Sequence, residues 1–345
     1  MRRSCSCGLS FGIGARAGAK ILSPRYCLTA ALVASTRAAF FAVAEYNQVM
    51  LRSAILIALT ATMARGADSK IDHVTIAGSD LKQMQARLAS IGIASVYGGA
   101  HSNHATEMAL VSFPDGSYLE LMGIPAGADP KAVSEHTWAK FLQENAGPTA
   151  WAMRTKDLAA EVKRLKAAGV SVGAPSASGR VRPDGVRLEW ETSDIGAGVR
   201  GAFFPFLIQD KTPRAQRVYP QGKPVSREFR GVTLVVIAVR NLDDAIKRYH
   251  EAFNEPPPIK QVDAGFGAYL ALLGNLPVVL AQPLNSGSWL TGRLEQFGEG
   301  PCAFVLAAVN PSHFQAASRT RWFGAEVSWF DPEKLGWRLG FEAAR

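Results

Sequence analysis

The first regular pattern of hydrophobic and polar positions starts at Lys70. In "IDHVTIAGSDLKQMQARLASIGI" (71–93) a spacing of two gives way to a spacing of three and four, which predicts a strand followed by a helix. Strict alternation sets Ile71, His73 and Thr75 on one strand face and Asp72, Val74 and Ile76 on the other. Ser79-Asp80 has the character of a helix N-cap, Leu81, Met84 and Leu88 form one helical face, and Gly92 ends the run. Two further strands are predicted over 108–113 and 118–122, with Pro114-Asp115-Gly116 as the turn between them.

The same unit then returns. "TAWAMRTKDLAAEVKRLKAAGVSV" repeats it with Asp157-Leu158 in the place of Asp80-Leu81, and "RPDGVRLEWE" supplies a second Pro-Asp-Gly turn and a closing strand. "VTLVVIAVRNLDDAIKRYHEAFN" repeats it again with Asn241-Leu242, and a weaker fourth copy runs from "PCAFVLAAVNPSHFQAA" to "GWRLGFE". A period of about 50–75 residues lies outside the usual solenoid range. The expected fold is α+β: βαβββ modules that pair into curved sheets with helices outside, one domain over 70–209 and a second over 231–345. The polar, Pro- and Arg-containing segment 210–230 reads as the linker.

Upstream of the modules the pattern changes. Residues 1–49 are rich in Ala, Arg and Ser and show no clean period, so they are expected to form a disordered leader extension. From Met50, Arg52 supplies a positive region, 53–61 an apolar stretch, and Ala64-Arg65-Gly66 a small-residue cleavage motif, so 50–66 reads as a signal peptide. Export to a periplasm or the exterior is the resulting expectation, with a cytoplasmic protein if the signal is not used. The apolar stretch is too short for a stable membrane span.

The leader also explains the net charge of +9. Residues 1–70 hold nine Lys or Arg against Glu45 and Asp68, whereas the remainder is nearly balanced. Nucleic acid is therefore not an expected partner, because a binder needs its charge on the folded surface. Cys5, Cys7 and Cys27 precede the modules and only Cys302 lies within them, which excludes a disulfide framework. No nucleophile-elbow, phosphate-loop or dinucleotide fingerprint occurs in context.

In "GGAHSNHATEMALVSFPDGSYLELMG" (98–123), His101 and His104 stand three apart. The segment leads into a strand, where such positions face opposite ways, so a shared metal is not expected. His101 is the better candidate to touch a substrate at the mouth of the sheet. Arg180 and Arg182, two apart beside a turn, could face one anion, or form a solvated pair.

The modules, with "IDHV" opening and "YLELMG" closing the first and "GRVRPDGVRLEWE" in the second, resemble the vicinal oxygen chelate superfamily. More narrowly, they resemble its glyoxalase-like domain group, closely over 70–209 and more loosely over 231–345. The resemblance implies two glyoxalase/dihydroxybiphenyl-dioxygenase-like domains. It also implies a metal held from the first and last strands of paired modules by His, Glu or Gln. In module one those slots fall on His73 and Glu120; in module two they fall on Ala150 and Glu189. The implied metal set is thus His73, Glu120 and Glu189 with one position missing. Such a set suits Zn, Mn, Fe or Ni alike.

The chemistry so implied is a lyase or isomerase reaction on a small oxygenated substrate through an enediolate-type anion. The metal would act as Lewis acid and Glu189 as general base. A metal-free binding or sequestering protein of the same fold stays open, with Glu120 paired to Arg187 or Arg154 instead. A homodimer is equally open. In the second domain the slots fall on Leu234, Val279, Ala303 and Gly340, none of which binds metal. Neither domain offers the two His of a ring-cleaving dioxygenase. Trp289, Trp322, Trp329 and Trp337 could line an apolar pocket in this degenerate domain or fill its core.

Overall fold

The computed structural model describes residues 70–345. The segments expected to form a leader extension (1–49) and a signal peptide (50–66) lie outside the described residues. In the first module β1 (Lys70–Ala77) leads to α1 (Leu81–Ser90), then β2 (Val96–Ala100), β3 (Glu107–Ser112) and β4 (Tyr118–Gly123). Two short helices, α2 (Pro130–Glu135) and α3 (Ala139–Gln143), connect to the second module: β5 (Gly147–Arg154), α4 (Leu158–Ala167), β6 (Ser176–Val181), β7 (Arg187–Asp194) and β8 (Phe206–Asp210). The helix α5 (Arg214–Val218) then crosses to the second domain.

The second domain repeats the plan with β9 (Phe229–Ala238), α6 (Leu242–Phe253), β10 (Ile259–Asp263), β11 (Ala268–Leu272) and β12 (Val278–Pro283). After α7 (Trp289–Phe297) come β13 (Gly300–Ala308), β14 (Ser318–Trp322), β15 (Ala325–Trp329), α8 (Pro332–Leu335) and β16 (Arg338–Ala343). In the fourth module a single 3₁₀ turn, Pro311–His313, stands where the others carry a helix.

The repeated Asp-Leu and Asn-Leu pairs are the helix starts. Asp80, Asp157 and Asn241 each accept a hydrogen bond from the backbone N–H three residues on, at 2.9–3.0 Å. This N-cap satisfies one of the free N–H groups of the first turn. Leu81, Met84 and Leu88, like Leu158, Val162 and Leu165, are the buried faces of their helices.

Each domain is one eight-stranded sheet. The first has the order β2-β3-β4-β1-β5-β8-β7-β6 and the second β10-β11-β12-β9-β13-β16-β15-β14. In both, the first strand of each module pairs parallel with the last strand of that module, and the two first strands pair antiparallel at the centre. One core joins the backs of the two sheets, with Val74, Leu88 and Trp151 from the first and Val235, Phe304 and Phe341 from the second.

The concave faces differ. The second is closed by its own side chains: Phe266, Trp322, Trp329, Val279 and Ala303 pack into one buried cluster. Trp322 and Trp329 satisfy their indole N–H groups on Asp263 (2.6 Å) and Thr320 (2.9 Å). Trp322 and Trp329 are thus core, Trp289 packs at the edge of their cluster, and Trp337 belongs to the core shared by the two sheets. Gly340 lies opposite Val305 on β13, and Leu234 packs against the cluster. The first concave face instead encloses a cavity of about 590 Å³.

Candidate functional site

The cavity lies between the concave face of the first sheet and the helices after β4. Its floor is built where β1, β4, β5 and β8 run side by side. Thr75 stands opposite Glu120 on β4 and Ala150 on β5; His73 stands opposite Ala152, which in turn faces Phe206 on β8. The four floor positions are therefore His73, Glu120, Ala150 and Phe206, and the second pair is apolar.

This corrects the placement of Glu189. In module one the Pro-Asp-Gly turn joins β3 to β4, but in module two it joins β6 to β7, and a further strand, β8, closes the module. Glu189 lies on that penultimate strand with its side chain half exposed, bonded to Arg187 at 2.9 Å. Trp190 and Thr192, its neighbours of the opposite face, line the cavity instead. Ile71 also departs from strict alternation, because it packs in the shared core with Val74 and Ile76.

The cause is a β-bulge. Ile71 pairs with Met153 and His73 with the next residue, Ala152, so Asp72 is an extra residue in β1. The bulge places Asp72 and His73 together off the core face. Asp72 Oδ1 accepts from His73 Nδ1 at 2.7 Å. A carboxylate can only accept, so Nδ1 carries a proton and Nε2 is turned toward Glu120. Tyr118 stacks on the His73 ring at 4.8 Å, and the Phe206 ring meets it edge-on at 5.4 Å.

Asp72 is fully buried and held from the linker. Arg217 on α5 donates to both its oxygens, at 3.0 and 2.9 Å, and also to Asp210 and Tyr118; Arg214 adds a further contact to Asp72. Burial alone would raise the Asp72 carboxyl. The charge of Arg217, the His73 hydrogen bond and Arg214 outweigh it and hold the group well below the usual carboxylate range. Segment 210–230 is therefore more than a joint, since it supplies a buried counter-charge to the first strand.

Glu120 accepts from Thr75 Oγ1 at 2.9 Å and lies 3.8 Å from His73 Nε2. Neither arginine that could have paired with it does so: Arg187 bonds Glu189, and Arg154 donates to the Asp115 carbonyl. As a metal site this donor set falls short. His73 and Glu120 supply two ligands, Ala150 and Phe206 none. Among the described residues no group of three or more His, Cys, Asp or Glu side chains converges as a metal site.

The walls are cationic. Arg180 on β6 is buried, donates to the Gly98 carbonyl, and has no carboxylate partner among the described residues. It reaches that position because the sheet edges meet: Gly99, at φ +111°, lets β2 approach β6, and His101 bridges to Arg180. A Cβ on Gly99 would lie 3.0 Å from the Val181 carbonyl oxygen. Burial pulls down both the Arg180 guanidinium and the His101 imidazole, with Glu120 opposing in each case. His136 is lowered the same way, and Arg200 is fixed by Asp194 at 2.6 Å and by the Phe206 face at 3.9 Å.

His101 therefore lines the cavity, bonded through Nδ1 to Thr106 at 2.8 Å, whereas His104 is exposed with φ at +58°. Arg182 does not join Arg180, because it is taken by Asp184 and by the carbonyls of Gln216 and Pro220. His250 and His313, in the second domain, bond the Glu255 carbonyl and Glu228. His136, Arg200 and Arg217 escaped sequence reasoning.

A sequence model described as a glyoxalase-like domain matches residues 71–253, more than half of the chain. The chain belongs to this glyoxalase-like family. With its paired βαβββ modules it is a member of the vicinal oxygen chelate superfamily. The family match extends from β1 past the first sheet to the end of α6. No match was found among curated proteins.

Solved structures align with the chain at low identity. A hypothetical protein from Staphylococcus aureus aligns at TM-score 0.55 and 16% identity, covering 79% of this glyoxalase-like chain and 98% of its own. A mutant of 4-hydroxymandelate synthase from Streptomyces coelicolor aligns at TM-score 0.53 and 12% identity, covering 81% and 94%. Methylmalonyl-CoA epimerase from Mycobacterium tuberculosis, at 18% identity, covers 34% of this chain and 90% of its own with TM-score 0.31. Among the described residues no helix of the glyoxalase-like protein is long and apolar enough to cross a membrane.

Proposed function

We propose that the first cup of this glyoxalase-like protein binds a small oxygenated organic anion without a metal. The observation that supports the reading is Arg180: a guanidinium buried in the cavity wall with a backbone carbonyl as its hydrogen-bond partner and no carboxylate. Arginine does not shed its proton, so the cost of holding that charge in a low-dielectric wall persists until an anion arrives. A cavity of about 590 Å³ is of the size that takes a small molecule. The metal-dependent form of the reaction draws no support from the donor set, which stops at His73 and Glu120. The test is calorimetric titration of the full chain with a panel of small carboxylates, pyruvate first, in wild type and Arg180→Met. Binding lost in the variant supports the reading, and equal binding in both defeats it.

Proton transfer within the same cup is a second reading, favoured by the Asp72–His73 pair. Asp72 orients the ring and stabilises the imidazolium that forms when Nε2 takes a proton. Such a base could remove a proton from carbon next to a carbonyl, with Arg180 stabilising the resulting enolate. Incubation with pyruvate in D₂O, followed by NMR, tests it. Methyl deuteration faster with wild type than with His73→Ala supports the reading, and equal rates reject it.

A further inference from the structure

We propose that a second cavity, at the junction of the two sheets, is a binding site for a small oxyanion. It has a volume of about 440 Å³, within the range of small-molecule sites, and it shares no residue with the first cup. Its walls come from both domains: Ala146 and Pro148 at the start of β5, Trp289 and Arg293 on α7, and Trp337 and Arg338 at the start of β16.

Two guanidinium groups face this cavity without a carboxylate. Arg293 uses its donors on backbone carbonyls alone: Nη1 to Ala146 at 2.8 Å, Nη2 to Pro301 at 2.6 Å and to Pro148, and Nε to Pro301 at 3.2 Å. Carbonyls satisfy its hydrogen bonds and leave its charge uncompensated. Arg338 makes no hydrogen bond and no ion pair among the described residues; its guanidinium lies 4.2 Å from the Trp289 ring centroid. Glu144, the one acid on the cavity wall, accepts from Gln296 at 2.9 Å and pairs with neither arginine. Burial disfavours the charged form of both arginines, so their positive field is held at a cost.

An oxyanion meets both needs at once: charge for Arg293, and charge and acceptors for Arg338. A neutral ligand would leave the two charges as they are. The shared chemistry is a carboxylate or a phosphate on a small molecule, and a ligand seated here touches both domains.

The test is calorimetric titration of the full chain with inorganic phosphate and, separately, benzoate, in wild type, Arg180→Met and Arg338→Met. Binding of one probe that survives Arg180→Met and weakens at least about tenfold in Arg338→Met establishes the site. Whichever probe behaves so names the ligand group. Should Arg338→Met fail to fold by circular dichroism, Arg338→Lys takes its place, with retained but weaker binding expected. Neither probe binding, or the Arg338 variant binding as wild type, or all binding vanishing in Arg180→Met, would overturn the proposal.

Discussion

Asp72 and His73, adjacent on β1, lie on the same side of the strand and share a 2.7 Å hydrogen bond between Oδ1 and Nδ1. Neighbours on a regular strand face opposite ways, so the contact exists because the strand bulges at Asp72. Arg217 then anchors Asp72 from a helix more than a hundred residues away in sequence. Breaking a buried pair of this kind costs about 3–5 kcal/mol. Asp72→Asn is expected to lower stability by about that much in urea unfolding.

The same pair sets an acid limit. The Asp72 carboxyl is depressed in the folded protein, so its contribution is fully present above the ordinary aspartate pKa of about 3.9 and is lost as pH falls below it toward the native value. Stability of the wild type should therefore fall more steeply on acidification through that window than stability of Asp72→Asn. Parallel curves for the two proteins would show that Asp72 is not the group concerned.

Arg180 makes a two-sided prediction. If its charge is held for an anion, Arg180→Met should weaken pyruvate binding about 10–100-fold, the loss of a charged hydrogen-bond partner. It should leave thermal stability equal or higher, because a buried charge with no carboxylate hydrogen-bond partner is removed. A large fall in stability with unchanged affinity would make Arg180 a structural residue.

Glu189 is expected to matter little. Its side chain is half exposed and its partner Arg187 is more exposed still, and such surface pairs contribute about 0–1 kcal/mol. Glu189→Gln should leave pyruvate affinity within about twofold, whereas Glu120→Gln, at the cavity floor, should change it severalfold or more. Titration of the two variants side by side checks this.

These residues also show where the sequence was readable. Helix caps and helix faces were legible because Asp80, Asp157 and Asn241 carry one local signal each, and a cap is decided by three consecutive residues. The empty slots of the second domain were legible because its first strand follows the same register as β1. The closing strand of module two was not. The same Pro-Asp-Gly turn closes the second hairpin of module one and the first of module two, so copying the motif put Glu189 on the wrong strand and hid Phe206. A bulge has no composition signature, which is why Asp72 and Ile71 were assigned to the wrong faces. Arg200 and Arg217 reach the cup from loop and linker, and nothing local in their segments announces it.

Anion binding should depend on pH through His101 and His136. Burial lowers both below the ordinary histidine value of about 6.5, with Glu120 opposing, so both are neutral at pH 7 and gain charge only in more acid solution. Their charged or titratable neighbours around the cavity are Glu120, Glu135, His73, Arg180, Arg200 and Arg217. Pyruvate affinity should rise as pH falls below the ordinary histidine range, and the rise should be smaller in His101→Gln. Calorimetry between pH 7.5 and about 5 reads this directly.

Metal independence of the cup is tested most directly by one comparison. The full chain is dialysed against EDTA, titrated calorimetrically with pyruvate, then titrated again after Zn²⁺, Mn²⁺, Fe²⁺ or Ni²⁺ is restored. An anion held by Arg180, on a floor where His73 and Glu120 face Ala150 and Phe206, predicts the same affinity in every titration. Binding that appears only when a metal is restored, and is lost in both His73→Ala and Glu120→Ala, would contradict it.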